Sequence, residues 1–215
     1  MTYVVASPDS PPLTPSPDNR ALAAVQLERA VIAAGAEDHR AETLAFLRTH
    51  ADSLVRSGPV GHLTGSAIVL DPSTRRVLMI HHAKLNRWLQ PGGHADGDGN
   101  LAAVAWREVT EETGLDHLAV VLPAVDVDVH PVPARGDEPA HLHFDVRFLV
   151  VATGGVEPTI NHEATAVRWV EPDAEELSAD TEFGRMVGQA MVAFDQVASS
   201  LPARPGGQSA DRGAA

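Results

Sequence analysis

GGHADGDGNLAAVAWREVTEETGL, from Gly92 to Leu115, is the stretch that decides how this chain is read. Its first part demands sharp turns, because Gly92-Gly93 and the alternation Asp96-Gly97-Asp98-Gly99 leave no room for a regular element. Asn100 then stands where a helix N-cap is expected and Gly114 where a helix closes, so Leu101 to Thr113 is predicted helical. At about 100° per residue, Glu108, Glu111 and Glu112 fall within a single arc of roughly 100°. Like charges at this spacing repel and slightly weaken an isolated helix. Two readings follow. Either the carboxylates are solvated on an outer face, or they converge on a hard divalent cation such as Mg²⁺ or Mn²⁺, which takes oxygen ligands and removes the repulsion. The upstream Gly-Gly turn lets backbone carbonyls approach, since no Cβ intervenes. Arg107 can pair with one carboxylate and fix its direction.

On either side of this stretch the chain alternates between strand and helix signals. Upstream, Leu63–Asp71 and Val77–His81 read as paired strands about the turn DPSTRR. Downstream, VDVDVH sets Val125, Val127 and Val129 against Asp126, Asp128 and His130. HLHFDVRFLV sets Leu142, Phe144, Val146 and Phe148 against His141, His143, Asp145 and Arg147. Period-two alternation places one set on a core and the other on the opposite face. Joined by PVPARGDEPA, the two runs predict an antiparallel hairpin. Pairing His130 with His141 puts Asp128 beside His143 and Asp126 beside Asp145, so one face carries three histidines and three aspartates. A short strand over Ala166–Val170 and a helix over Thr181–Ser199 follow. At the N-terminus, Asp18 is read as the cap of a helix over Asn19–Ala34, and a second helix runs from Glu37 to Val55. The Pro- and Ser-rich residues 1–17 read as a mobile tail, as do residues 202–215. The resulting division is a helical extension over 18–57 and a main domain over 58–201.

The chain as a whole narrows the function. At 215 residues with 44% hydrophobic content it suffices for one well-cored domain. It has no cysteine, which removes disulfides and thiol chemistry and suits a cytoplasmic protein. A net charge of −13 argues against stable nucleic-acid binding or attachment to an anionic membrane. It does not exclude a phosphorylated small molecule whose contact is mediated by divalent cations. No apolar run has the length of a membrane span.

Gly93 followed by Arg107-Glu108-Val109-Thr110-Glu111-Glu112-Thr113-Gly114-Leu115 resembles the Nudix box, G-x5-E-x7-R-E-U-x-E-E-x-G-U with U aliphatic. Eight of its nine fixed positions match. The ninth departs, with Gly99 where the pattern has Glu, and Asp98 or Asp96 is expected to lend the missing carboxylate. The likeness extends over about Gly61 to Val170. It implies an α/β fold, a Nudix-like α/β/α sandwich with a mixed central sheet, plus the N-terminal helical extension. It also implies a hydrolase that cleaves a nucleoside diphosphate linked to another group, with Mg²⁺ or Mn²⁺ held by Glu108, Glu111, Glu112 and the carbonyl of Gly92 or Gly93. Arg107 then orients a carboxylate. The base that takes the water proton is a box glutamate or Glu163, which lies in the later loop NHEATAVRWV; a solvated loop acid is the plainer account of Glu163. Trp88 in RWLQPGG and Lys84 are candidates for substrate contact, beside packing and solvation as ordinary roles. His141 and His143, on the His/Asp face, either line the substrate pocket and bind metal or form a wet sheet face.

Two rival readings stand beside the hydrolase. An isopentenyl-diphosphate-type isomerase shares the fold but is expected to carry a catalytic cysteine, absent here. A non-catalytic nucleotide-binding module usually lacks box glutamates, whereas three are present. The N-terminal helices are open to three roles: covering the site, forming a homodimer, or stabilising the sheet.

Overall fold

The computed structural model describes residues 2–7, 10–136, 138–154, 157–159, 164–178 and 181–202. Its strands are β1 (Val4–Ala6), β2 (Gly61–Leu70), β3 (Val77–His82), β4 (Arg87–Leu89), β5 (Gly92–His94), β6 (Leu118–Val132), β7 (His141–Ala152) and β8 (Ala164–Val170). The helices are α1 (Arg20–Arg29), α2 (Glu37–Thr49), α3 (Leu101–Thr113), α4 (Glu175–Ser178) and α5 (Thr181–Val197). One mixed sheet runs in the order β1-β6-β7-β2-β3-β4, with β5 pairing β2 and β8 pairing β3. β2 and β7 are parallel along ten residue pairs, and the other pairings are antiparallel.

Alternation along the central strands divides the core into two layers. On one face Leu63, Ala67, Val120, Phe144, Val146 and Phe148 pack against Ala23 and Leu27 of α1, Phe46 and Leu47 of α2, and Leu101, Ala102, Ala105 and Val109 of α3. The rings of Phe46 and Phe144 stack at 4.0 Å between centroids. On the other face Ile68, Leu70, Met79, Val121, Leu149 and Val151 meet Met186, Ala190, Phe194 and Val197 of α5. Burying each such Leu, Ile or Phe side chain contributes about 1.5–3 kcal/mol. The chain is therefore an α/β/α sandwich around a mixed sheet. No helix among the described residues is long and apolar enough to cross a membrane.

Three expectations are corrected. The described residues of the stretch 1–17 do not behave as a tail: Val4–Ala6 pairs with Leu122, Val121 and Val120 as an edge strand, and Tyr3, Ala6 and Leu13 are buried. The first helix is capped by the side chain of Asn19, not Asp18, and ends at Arg29 instead of Ala34. The β6–β7 hairpin is shifted by two residues, pairing His130 with His143, Asp128 with Asp145, and Asp126 with Arg147. The turn sets this register. Arg135 and Glu138 bridge each other across Gly136, whose φ of 58° a glycine tolerates. An even shift leaves every side chain on its face but changes its partner. Residues 203–215 lie outside the described part.

Candidate functional site

α3 begins and ends as its sequence dictates. The Asn100 side chain accepts from Ala103 N–H at 3.4 Å, and Gly114 closes the helix with φ 65°. Its C-terminal half lies along β5. Glu112 is 5% exposed and accepts a hydrogen bond from Gly92 N–H at 2.9 Å. Glu108 lies against Gly93 so closely that a Cβ there would stand 2.4 Å from its carboxylate carbon. Arg107 donates to the His94 carbonyl at 3.0 Å and pairs with Glu108 at 2.9 Å, which ties helix, strand and carboxylate together. Glu111 is exposed. Two of the three glutamates are thus drawn onto the Gly92-Gly93 backbone, and the third stands further out.

The missing box glutamate has a steric cause. A Cβ at Gly99 would lie 2.0 Å from the carbonyl oxygen of Asn19. The N-terminal segment runs directly over the loop here: Gly99 N–H donates to Ser16 O at 2.9 Å, and Asp18 N–H donates to Gly97 O at 2.7 Å. Asn100 reaches back to the carbonyls of Pro12 and Thr14, and Gln26 bonds both Asn100 and Leu101 N–H. Asp98 does not stand in for the absent acid. Its Oδ1 accepts from the backbone N–H of Ser16 and of Asn100, each at 2.8 Å, so it is spent on holding the strap. Asp96 is exposed and lies 3.9 Å from Arg56.

Beyond β5 opens a cavity of about 1070 Å³. Gly92, Gly93 and Glu112 form one wall, and Trp88 and Arg168 are part of the lining. The Arg168 guanidinium stands 4.1 Å over the Trp88 ring. His143 is in the lining of the cavity, whereas His141, which is buried, and Lys84, exposed in the turn after β3, are not. Glu163 lies outside the described residues.

The cavity floor is charged and almost fully paired. Arg147, 6% exposed, donates to Asp145 at 2.8 Å, Asp126 at 3.1 Å and Asp128 at 2.8 Å. Arg185 adds bonds to Asp126, and Thr64 and Ser66 donate to Asp145 at 2.8 and 2.7 Å. Burial pushes the Asp128 carboxyl up, but the His130 hydrogen bond and the charges of Arg147, His130 and His39 outweigh it and hold the group well below the usual carboxylate range. Asp145 is likewise lowered, burial being overcome by Arg147. His130 is raised, its burial outweighed by Asp128 and Asp145.

Next to these paired ions lies a group of histidines only partly anticipated. The parallel β2–β7 pairing sets His62 beside His143, and β5 brings His94 to Thr64, two residues along from His62. Burial, with the charges of neighbouring histidines and Arg56, lowers His62 and His94 to about 4, and burial with the charges of His62, His94 and His130 lowers His143 to about 3. His94 was visible in the opening stretch, but nothing local marks His62, because its neighbours arrive from strands distant in sequence.

The family model described as NUDIX domain matches residues 61–187. The human protein described as m7GpppN-mRNA hydrolase NUDT17 is 28% identical over 137 residues, which make up 56% of this chain and 41% of that protein. The match thus spans well under half the length of that relative. Among solved structures, the E. coli dihydroneopterin triphosphate pyrophosphohydrolase superposes with a TM-score of 0.50 at 18% identity, covering 63% of this chain and 96% of its own. A C. elegans Ap4A hydrolase in a binary complex gives 0.49 at 16% identity, covering 65% and 98%.

Proposed function

The chain belongs to the Nudix family, and on that premise we propose that it is a metal-dependent hydrolase cleaving a phosphorus anhydride bond in a nucleoside diphosphate derivative. One observation carries the reading: Glu108 and Glu112 are both laid against the Gly92-Gly93 backbone, with Glu112 in the wall of a large cavity. The donors fit a hard cation, being carboxylates beside a backbone that lacks a Cβ where Glu108 sits. Glu108, Glu111, Glu112 and the Gly93 carbonyl would hold Mg²⁺ or Mn²⁺, whose chemistry there is to neutralise a diphosphate and acidify a bound water.

The rest is the work of the chain's own residues. Arg107 is a positioning residue, since it grips Glu108 and the His94 carbonyl at once. Gly92 N–H fixes the direction of the Glu112 carboxylate through one of its oxygens. Trp88, with Arg168 over its ring, offers an aromatic surface and a cation in one wall, suited to a base or sugar adjoining phosphate. Glu163 is the proposed proton acceptor, and His143 the proposed polar contact deeper in the cavity.

The test is pyrophosphate-bond cleavage, detected through a coupled phosphatase. The panel covers nucleoside triphosphates, nucleotide sugars, ADP-ribose, dinucleoside polyphosphates and an m7GpppN cap dinucleotide, each with Mg²⁺ and with Mn²⁺. Glu112→Gln keeps an acceptor for Gly92 N–H but removes the charge. Turnover is expected to fall by about 100-fold or more, the scale on which charged and proton-transferring groups contribute. Silence of the folded wild-type protein across the panel, or equal turnover in the variant, would reject the reading.

A further inference from the structure

We propose that His62, His94 and His143 form a second metal site, distinct from the carboxylate site, which takes one divalent transition-metal ion of the zinc or cobalt class. Each of the three offers a ring nitrogen, and these nitrogens all lie within 4.8 Å of one another. Three imidazoles suit borderline ions and poorly suit Mg²⁺, which prefers oxygen. The site is therefore chemically separate from the glutamates although β5 joins them, with Gly92 and Gly93 serving one and His94 the other.

Burial supplies the independent argument. His62 is 1% exposed, and among the described residues neither of its ring nitrogens has a hydrogen-bond partner. A neutral imidazole always carries one N–H and one lone pair, and native structures rarely leave both buried and unmet. His143 Nε2 is also buried with no hydrogen-bond partner among the described residues. A plain packing role would be better filled by an apolar ring of similar size. A cation uses the lone pairs for which the protein provides nothing else.

The surroundings fit the assignment. His141 stacks on His62 at 4.9 Å, and its Nδ1 engages the Pro139 carbonyl at 2.9 Å. This bond places its N–H on Nδ1, while its Nε2 lies 4.0 Å from a Glu138 carboxylate oxygen. Around a tetrahedral ion with Zn–N of 2.0–2.1 Å, the nitrogens stand about 3.3 Å apart. Closing from the observed spacing takes shifts on the order of an ångström, within the reach of side-chain rotation. Arg56 bonds His94 Nδ1 and must swing aside if that ring donates through Nε2; with 57% of its side chain exposed, it has room. Three ligands leave a fourth position open, and His94 and His143 both line the cavity.

The experiment is a zinc titration by calorimetry on chelator-stripped full-length protein, paired with the visible absorption of the Co²⁺-loaded form. Both are repeated in a Glu108→Gln, Glu111→Gln, Glu112→Gln background, so that failure of the hydrolase reading does not decide the outcome. One zinc per chain and a tetrahedral Co²⁺ spectrum are expected in both backgrounds. His94→Gln and His143→Gln, at partly exposed positions, should each weaken zinc binding by more than about 100-fold, since even outer-shell partners cost 10–100-fold. His117→Gln, on an exposed residue away from the cluster, should change nothing. Circular dichroism checks that each variant is folded. No zinc binding by the wild-type protein, binding that disappears only with the glutamates, or equal affinity in His143→Gln would overturn the proposal.

Discussion

Replacing Gly99 by alanine tests whether the strap explains the missing box glutamate. An added Cβ would stand 2.0 Å from Asn19 O and 2.5 Å from its carbonyl carbon, and backbone atoms cannot rotate away as a side-chain tip can. The strap must lift. Three bonds go with it: Gly99 N–H to Ser16 O, Asp18 N–H to Gly97 O, and Ser16 N–H to Asp98. At about 1 kcal/mol each, the loss is about 3 kcal/mol. For a chain of this length that lowers the melting temperature by about 6–12 °C. Differential scanning calorimetry reads the shift, and urea unfolding gives the free energy directly. Gly99→Glu should cost at least as much and should raise neither metal affinity nor turnover, although it restores the family pattern. The reasoning is refuted if Gly99→Ala melts within about 1 °C of wild type, or if Gly99→Glu is both stable and more active.

Further outcomes follow from the charged floor and the histidines. Arg147→Leu removes the cation that holds three buried aspartates and should destabilise the protein by about 3–5 kcal/mol in urea unfolding; a loss below about 1 kcal/mol would show that Arg185 and the histidines suffice. In metal-free protein, His62, His94 and His143 bind fewer protons folded than unfolded between pH 6.5 and about 4, so stability should fall as pH drops through that window. Below it, the lowered carboxyls of Asp128 and Asp145 add a further loss as they protonate. His130, whose pKa is raised, acts oppositely: its contribution is full below pH 6.5 and lost as pH climbs through its folded value. Urea unfolding across this range should therefore give a slope that flattens in His143→Gln, and an unchanged slope would count against the neutral-histidine account.

Local signals were legible where the cause lies within a few residues. Asn100 and Gly114 bound α3 because a cap and a left-handed glycine act on adjacent backbone. The alternation in β6 and β7 assigned each side chain to a face, since the period of a strand is two. Register was not legible, because it is set at the turn by the bridge across Gly136, and a two-residue shift leaves the alternation unchanged. Arg147 thereby became the partner of Asp126, and the floor became an ion network instead of a row of acids and histidines. Still less legible were features joined across the sheet. Gly99 looks like a defect in the box until Asn19, 80 positions earlier, is seen pressing on it. The Pro- and Ser-rich start has the composition of a tail, yet its backbone carbonyls and N–H groups are what the loop requires.

That strap separates two boundaries usually treated as one. The segment matched by family likeness opens at Gly61, but the cooperative unit starts near Tyr3, whose hydroxyl accepts from Gln189 of α5 at 3.0 Å, 186 residues away. A chain trimmed to the matched segment would keep every box residue and lose the edge strand on β6, the Phe46 layer over Phe144, and the cover over the box loop. Its uncovered face would resemble a subunit interface more than a protein surface. For this molecule, the part that carries the chemistry is shorter than the part that must fold to present it.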